Sequence, residues 1–161
     1  MDQRDLRIGD LILVRGTGFI SEAIEAVEHS QYSHVAGFVG HKELIEAEGF
    51  RQTGYAPVSK YKGQADVFRC MFADRESRQN ILEHATYQVG GRYDYALLFV
   101  ELIRYWTRIL LPYKEPSNAR ICSVLWADIY RDIGIDLCPG IKYPSPADVA
   151  GSKLLIKIGS L

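Results

Sequence analysis

Leu11-Ile12-Leu13-Val14 is the first apolar run, opened by Gly9-Asp10 and closed by Gly16. A short continuous run between turn formers predicts a buried strand. From Phe19 to Glu28 the period changes. Ile20, Ile24 and Val27 recur at helical spacing with Glu22, Glu25 and Glu28 opposite them, and Thr17 or Gly18 supplies the cap. Ser33 to Val39 is small and β-branched and predicts a strand. Gly40-His41-Lys42 then turns it into a second strand, Glu43 to Glu48, forming an antiparallel hairpin. Gly49 to Gly63, punctuated by glycine and proline, reads as loop, and Asp66 to Phe72 as a third strand.

The second half changes to helical periods. Asp74 to Val89 carries Ile81, Leu82, Ala85 and Val89 on one face and ends at Gly90-Gly91. A longer apolar helix is expected over Tyr95 to Leu111, broken by Pro112 to Pro116. Ile121 to Ile133 predicts another, ending at Gly134, followed by a loop over Pro139 to Pro146 and a last strand at Leu154-Leu155-Ile156 with Ile158. Strands first, helices next and one strand last argue for an α+β fold with an antiparallel sheet. No repeat interrupts the order, and 161 residues suit one domain, 1–161. Glu101, Arg104 and Arg108 share one face of the Tyr95–Leu111 segment, so it does not read as an integral membrane segment. It reads either as a core helix with a solvated stripe or as an apolar wall facing a lipid-like substrate, with Tyr105 and Trp106 suited to an interface.

Charge and composition narrow the function classes. Lys and Arg total 19 against 20 Asp and Glu, a balance that argues for no nucleic-acid partner. A hydrophobic share of 47% excludes a disordered chain. Three scattered cysteines, an odd number, make no disulfide framework and fit a reducing compartment. The start, Met1-Asp2-Gln3-Arg4-Asp5, is polar and reads as no signal peptide. The expected location is cytoplasmic as synthesised, with delivery to the cell envelope by another system left open.

Cys122 falls in the first turn of an expected helix, where free amide N–H groups and partial positive charge favour a thiolate and can hold an oxyanion. A nucleophilic thiol needs a base that titrates near neutrality, and His34 stands at the start of a strand. Glu46 and Glu48 share one face of the next strand, so either carboxylate can orient the imidazole. Taken alone, each of these residues is more often explained by burial or solvation. Cys70, between Phe68 and Phe72, reads as structural, and Cys138 beside Pro139 as a loop thiol, open to exposure, with no obvious base. His29, His41 and His84 lack metal-ligand spacing. There is no Cys-x-x-Cys pair for thiol redox chemistry, no phosphate loop and no serine elbow.

Taken in order, Gly9-Asp10-Leu11-Ile12, Tyr32-Ser33-His34-Val35, Ile45-Glu46-Ala47, Gly91-Arg92-Tyr93-Asp94-Tyr95, Cys122-Ser123 and Pro144 to Asp148 resemble the permuted NlpC-type cysteine peptidases and amidases, above all their YiiX-like branch. The resemblance implies a papain-like α+β fold in which the His strand precedes the Cys helix, with a small antiparallel, partly barrelled sheet against the helices. It implies a triad of Cys122, His34 and Glu46, because Glu46 stands in the family's Glu-Ala pair; Glu48 stays open, since the hairpin register is not fixed. It implies amide hydrolysis through a thioester acyl-enzyme, with no metal or organic cofactor. The substrate would be a peptide or amide, as in cell-wall peptide hydrolases, or an acyl-lipid, as in lipid acyltransferases and thioesterases of the same fold. Ile121 and Val124 depart from the family's aromatic and acidic residues beside Cys-Ser, which leaves substrate preference open. A catalytically silent binding module is the rival class. The oligomeric state is not legible.

Overall fold

The structure, a computed structural model, describes residues 5–16, 31–47, 52–90, 92–93, 119–120 and 122–161. Its strands are β1 (Leu11–Arg15), β2 (Tyr32–Gly40), β3 (Glu43–Glu46), β4 (Gly54–Pro57), β5 (Ala65–Cys70), β6 (Arg92–Tyr93), β7 (Ala119–Arg120) and β8 (Leu155–Ser160). Its helices are α1 (Arg75–Tyr87), α2 (Cys122–Asp132) and α3 (Pro146–Ala150). Six strands form one sheet in the order β4-β3-β2-β1-β5-β8, every neighbour antiparallel. β6 and β7 make a separate parallel pair. The fold is α+β, as the order of elements predicts.

The apolar run of β1 lacks alternation because both faces of the sheet are covered. Leu11 and Leu13 join Val35, Val39 and Ile45 in a core with Ile81 of α1 and Leu125, Trp126 and Ile129 of α2. Ile12 and Val14 point the other way, to Ala36, Phe38, Leu44, Val58 and Tyr61. The β2–β3 hairpin turns through His41 and Lys42, both at positive φ (50° and 64°), after Gly40 at 104°. Two consecutive left-handed residues match the twist of a tight hairpin.

Asp10, fully buried, explains the Gly9-Asp10 pair. Its carboxylate accepts from Arg69 Nε at 2.8 Å, Arg69 Nη2 at 2.6 Å and the Arg7 backbone N–H at 2.8 Å. The β1 entrance is thereby tied to β5 by a two-toothed Arg–carboxylate pair.

Several expectations need correction. The segment read as loop, Gly49 to Gly63, contains edge strand β4 and a 3-10 turn, Val58–Tyr61. A four-residue strand ending in proline is tolerated only at an edge and leaves too short a pattern to read. The loop read over Pro139 to Pro146 runs into α3, whose Ser145 and Asp148 form a reciprocal capping box with Pro146 at the first position. Cys138, whose exposure the loop position left open, is buried in the main core. The short strands β6 and β7 carry no period of their own. The helices expected over Phe19–Glu28 and Tyr95–Leu111 lie outside the described residues. Among the described residues no helix is long and apolar enough to cross a membrane.

Helix α2 crosses the hairpin at one close point. The Trp126 indole lies on Gly37, where a Cβ would come within 2.1–2.4 Å of three ring atoms. The indole N–H donates to Ile45 O at 3.1 Å. Gly37→Ala is therefore expected to lower stability by about 1–3 kcal/mol through forced displacement of the ring, read as a drop in the urea midpoint. An unchanged midpoint would mean that α2 is not held at this point.

Candidate functional site

His34, Glu46 and Cys122 come from three elements and meet at one place. The β1–β2 register slips between Val14, opposite His34, and Arg15, opposite Tyr32, leaving Ser33 as the extra residue of a bulge. A bulge reverses which face the residues beyond it present. Tyr32 therefore joins the core under the helices, whereas His34 lies on the face of Ala36 and Phe38. On β3, Glu46 is the partner of Ala36. His34 and Glu46 are thus diagonal neighbours on one face, within reach of each other.

The imidazole Nε2 donates to Glu46 Oε2 at 3.0 Å. That leaves Nδ1 for the Cys122 thiol, whose charge acts on the ring. Cys122 is the first residue of α2 and is 5% exposed. The backbone N–H groups of Val35 and Ser123 also favour its thiolate. Glu46, nearly buried, takes two more donors: Lys60 Nζ reaches Oε1 at 2.6 Å, and the Tyr61 hydroxyl donates to Oε2. The Tyr61 ring also lies against the imidazole, with centroids 5.9 Å apart.

Protonation follows from these contacts. Burial alone would drive the His34 imidazole toward its neutral form. The Cys122 thiolate beside it and the Glu46 hydrogen bond outweigh burial and raise its pKa above the ordinary histidine value. Burial alone would keep Cys122 a thiol. The His34 imidazolium and the two backbone N–H groups outweigh it and bring the thiol pKa down. Glu46, against burial, is held down at about 2 by His34, Lys60 and Tyr61. His34 and Cys122 thus each favour the charged form of the other, beside a carboxylate held ionised by its donors.

The other thiols differ. Cys70 is buried in the main core. Burial, with Asp148 and Asp136 nearby, pushes the Cys138 thiol up to about 11, so it stays protonated. His84 faces Asp132 on the surface at 3.4 Å, and His41 sits in the hairpin turn. Glu48 and His29 lie outside the described residues. Lys60 and Tyr61 fall within the segment read as loop, where no sequence pattern marks them. Among the described residues no three His, Cys, Asp or Glu side chains are grouped so as to hold a metal ion.

No protein-family model and no curated protein matches the sequence. The fold does have a solved counterpart. The crystal structure described as that of the metalloprotein YiiX from Escherichia coli O157:H7 superposes with a TM-score of 0.74 at 18% identity. The match covers 96% of this chain and 97% of that one. The fold is therefore YiiX-like, as the order of sequence motifs implies.

The Glu46 carboxylate makes an acid-sensitive contribution to stability. Its pKa is about 2 in the fold against 4.5 unperturbed, so the contribution is complete above 4.5 and is lost as pH falls toward 2. The upper bound is about 3 kcal/mol. Urea midpoints of the wild type and Glu46→Gln should differ most near neutrality and converge as pH falls below 4.5. A constant gap over that range would show that Glu46 does not ionise against these partners.

Proposed function

We propose that the chain is a cysteine hydrolase of the permuted papain-like, NlpC-type class, formed by a single domain over 1–161, that cleaves an amide bond. The observation that supports this most directly is the His34 imidazole, held by Glu46 through Nε2 at 3.0 Å and electrostatically coupled to the Cys122 thiol. A thiol paired with imidazole is the nucleophile–base unit of acyl transfer, and a carboxylate on the far ring nitrogen is the third member.

In this reading the Cys122 thiolate attacks the amide carbonyl and forms a tetrahedral intermediate. Its oxyanion is held by N–H groups at the start of α2, which have no acceptor inside the helix. His34, already protonated, gives its proton to the leaving amine as the C–N bond breaks, and a thioester remains. The now neutral imidazole takes a proton from water, whose oxygen attacks the thioester. Collapse expels the Cys122 thiolate, releases the acid and restores the ion pair. Glu46 fixes the ring so that Nδ1 faces sulfur throughout, and stabilises the imidazolium.

The solved counterpart is described as a metalloprotein, so a metal has to be weighed. Both Glu46 oxygens already take proton donors, one of them an ammonium at 2.6 Å. With no grouping of three or more ligand side chains among the described residues, the donor set does not fit a metal ion.

Cys122→Ser should abolish turnover of an amide substrate while leaving the thermal midpoint nearly unchanged. Iodoacetamide should label Cys122 in the wild type at mildly acidic pH, ahead of Cys70 and Cys138, and lose that preference in His34→Ala. Tryptic mass spectrometry reads the site. Equal labelling of Cys122 with and without His34 would overturn the hydrolase reading.

A further inference from the structure

We propose that Lys60 and Tyr61 are positioning residues for this site: together they lock the Glu46 carboxylate in the orientation that holds the His34 ring. The inference rests on the catalytic reading above. It adds two residues that no sequence motif identifies.

Three donors divide the two oxygens of Glu46 between them. Oε2 takes the His34 Nε2–H and the Tyr61 hydroxyl, and Oε1 takes the Lys60 ammonium at 2.6 Å. With His34 alone, the carboxylate could swing about its last torsion, which is a soft one. With a donor on each oxygen from another element, a swing toward one breaks the other. The turn that presents both residues is itself fixed. The Val58 N–H donates to Lys42 O at 2.9 Å, and the Val58 side chain is buried with Leu44 and Phe38. Lys60 also stands over the Tyr61 ring at 5.1 Å, and that ring lies against His34.

Charge gives the second argument. In the catalytic reading above, the row outward from the nucleophile is thiolate, imidazolium, carboxylate, ammonium. Among these four described groups the signs alternate and the sum is zero. A buried anion with too few partners takes up a proton instead. Among the described residues, the titratable groups facing Glu46 are His34 of β2 and Lys60 and Tyr61 of the turn, with Cys122 of α2 beyond the imidazole. Removing the ammonium leaves the row one charge negative, so its anions protonate at higher pH. Removing the Tyr61 hydroxyl takes a hydrogen bond from the ionised carboxylate and acts in the same direction.

The test is the pH dependence of Cys122 alkylation by iodoacetamide, which needs no substrate. In Lys60→Met the acid limb should move up by about one pH unit, and in Tyr61→Phe by a smaller amount in the same direction. Lys60→Arg should restore the wild-type limb. In a Glu46→Gln background Tyr61→Phe should give no further shift, because the group it acts through is gone. Tyr61→Phe keeps the ring and its packing, so it carries the test even if Lys60→Met folds poorly. Unmoved acid limbs in the folded variants, or a Tyr61→Phe shift of the same size without Glu46, would overturn the proposal. Wild-type labelling that ignores His34→Ala would instead overturn the hydrolase reading beneath it.

Discussion

The seat of Trp126 on Gly37 is the contact on which the candidate site depends. The thiol and its base are far apart in sequence and belong to elements that share no hydrogen-bond ladder. A helix packed on a sheet can slide by a turn, and a helical turn is about 5.4 Å, far more than a hydrogen bond tolerates. The missing Cβ at Gly37 makes a notch in β2, and the indole fills it. The indole N–H, bonded to Ile45 O, fixes the same ring to β3. One side chain thus sets α2 against both strands of the hairpin that carries His34 and Glu46.

From that seat the rest follows by short steps. Cys122 lies one helical turn before Trp126 and so lies near β2. The bulge at Ser33 leaves His34 on the face of Ala36, where the Ala36–Glu46 register brings the carboxylate alongside. Packing sets the distances, and the distances set the charges. The thiolate and imidazolium stabilise each other only because each stands where the other's field outweighs its own burial. Stability and reactivity therefore share one contact.

What the sequence made legible is what periodicity and capping can express. The hairpin, the helix beginning at Cys122 and the strands flanking β1 all have runs long enough to carry a period. Bringing Cys122, His34 and Glu46 to one place came from the order of motifs, because sequence spacing says nothing of contacts between distant elements. The choice of Glu46 over Glu48 likewise came from the Glu-Ala pair; pattern alone puts both on one face. Lys60 and Tyr61 stayed hidden for a physical reason. An edge strand of four residues and a single 3-10 turn have no period, and their glycine and proline look like those of a loop. The cap of α3 was readable as Ser145-Pro146 with Asp148, yet five helical residues make too short a run to stand out.

Buried carboxylates by themselves do not single out the site, since the described residues contain three: Asp10, Glu46 and Asp66. Asp10 is gripped by Arg69, whose guanidinium does not lose its proton. Asp66 takes Arg15, Lys157, Tyr32 and Ser160, and burial is outweighed by those donors so that its carboxyl lies well below the usual range. Both anchor strands: Asp10 joins β1 to β5, and Asp66 joins β5 to β1, β2 and β8. Glu46 also binds a lysine and a tyrosine, but among the three it alone binds an imidazole. That one partner changes protonation state at accessible pH and has a second nitrogen with which to pass the change on. In the proposed reading the same carboxylate chemistry that is a fastener beside arginine becomes an orienter beside histidine, because an imidazole can exchange its proton with a further group, there Cys122.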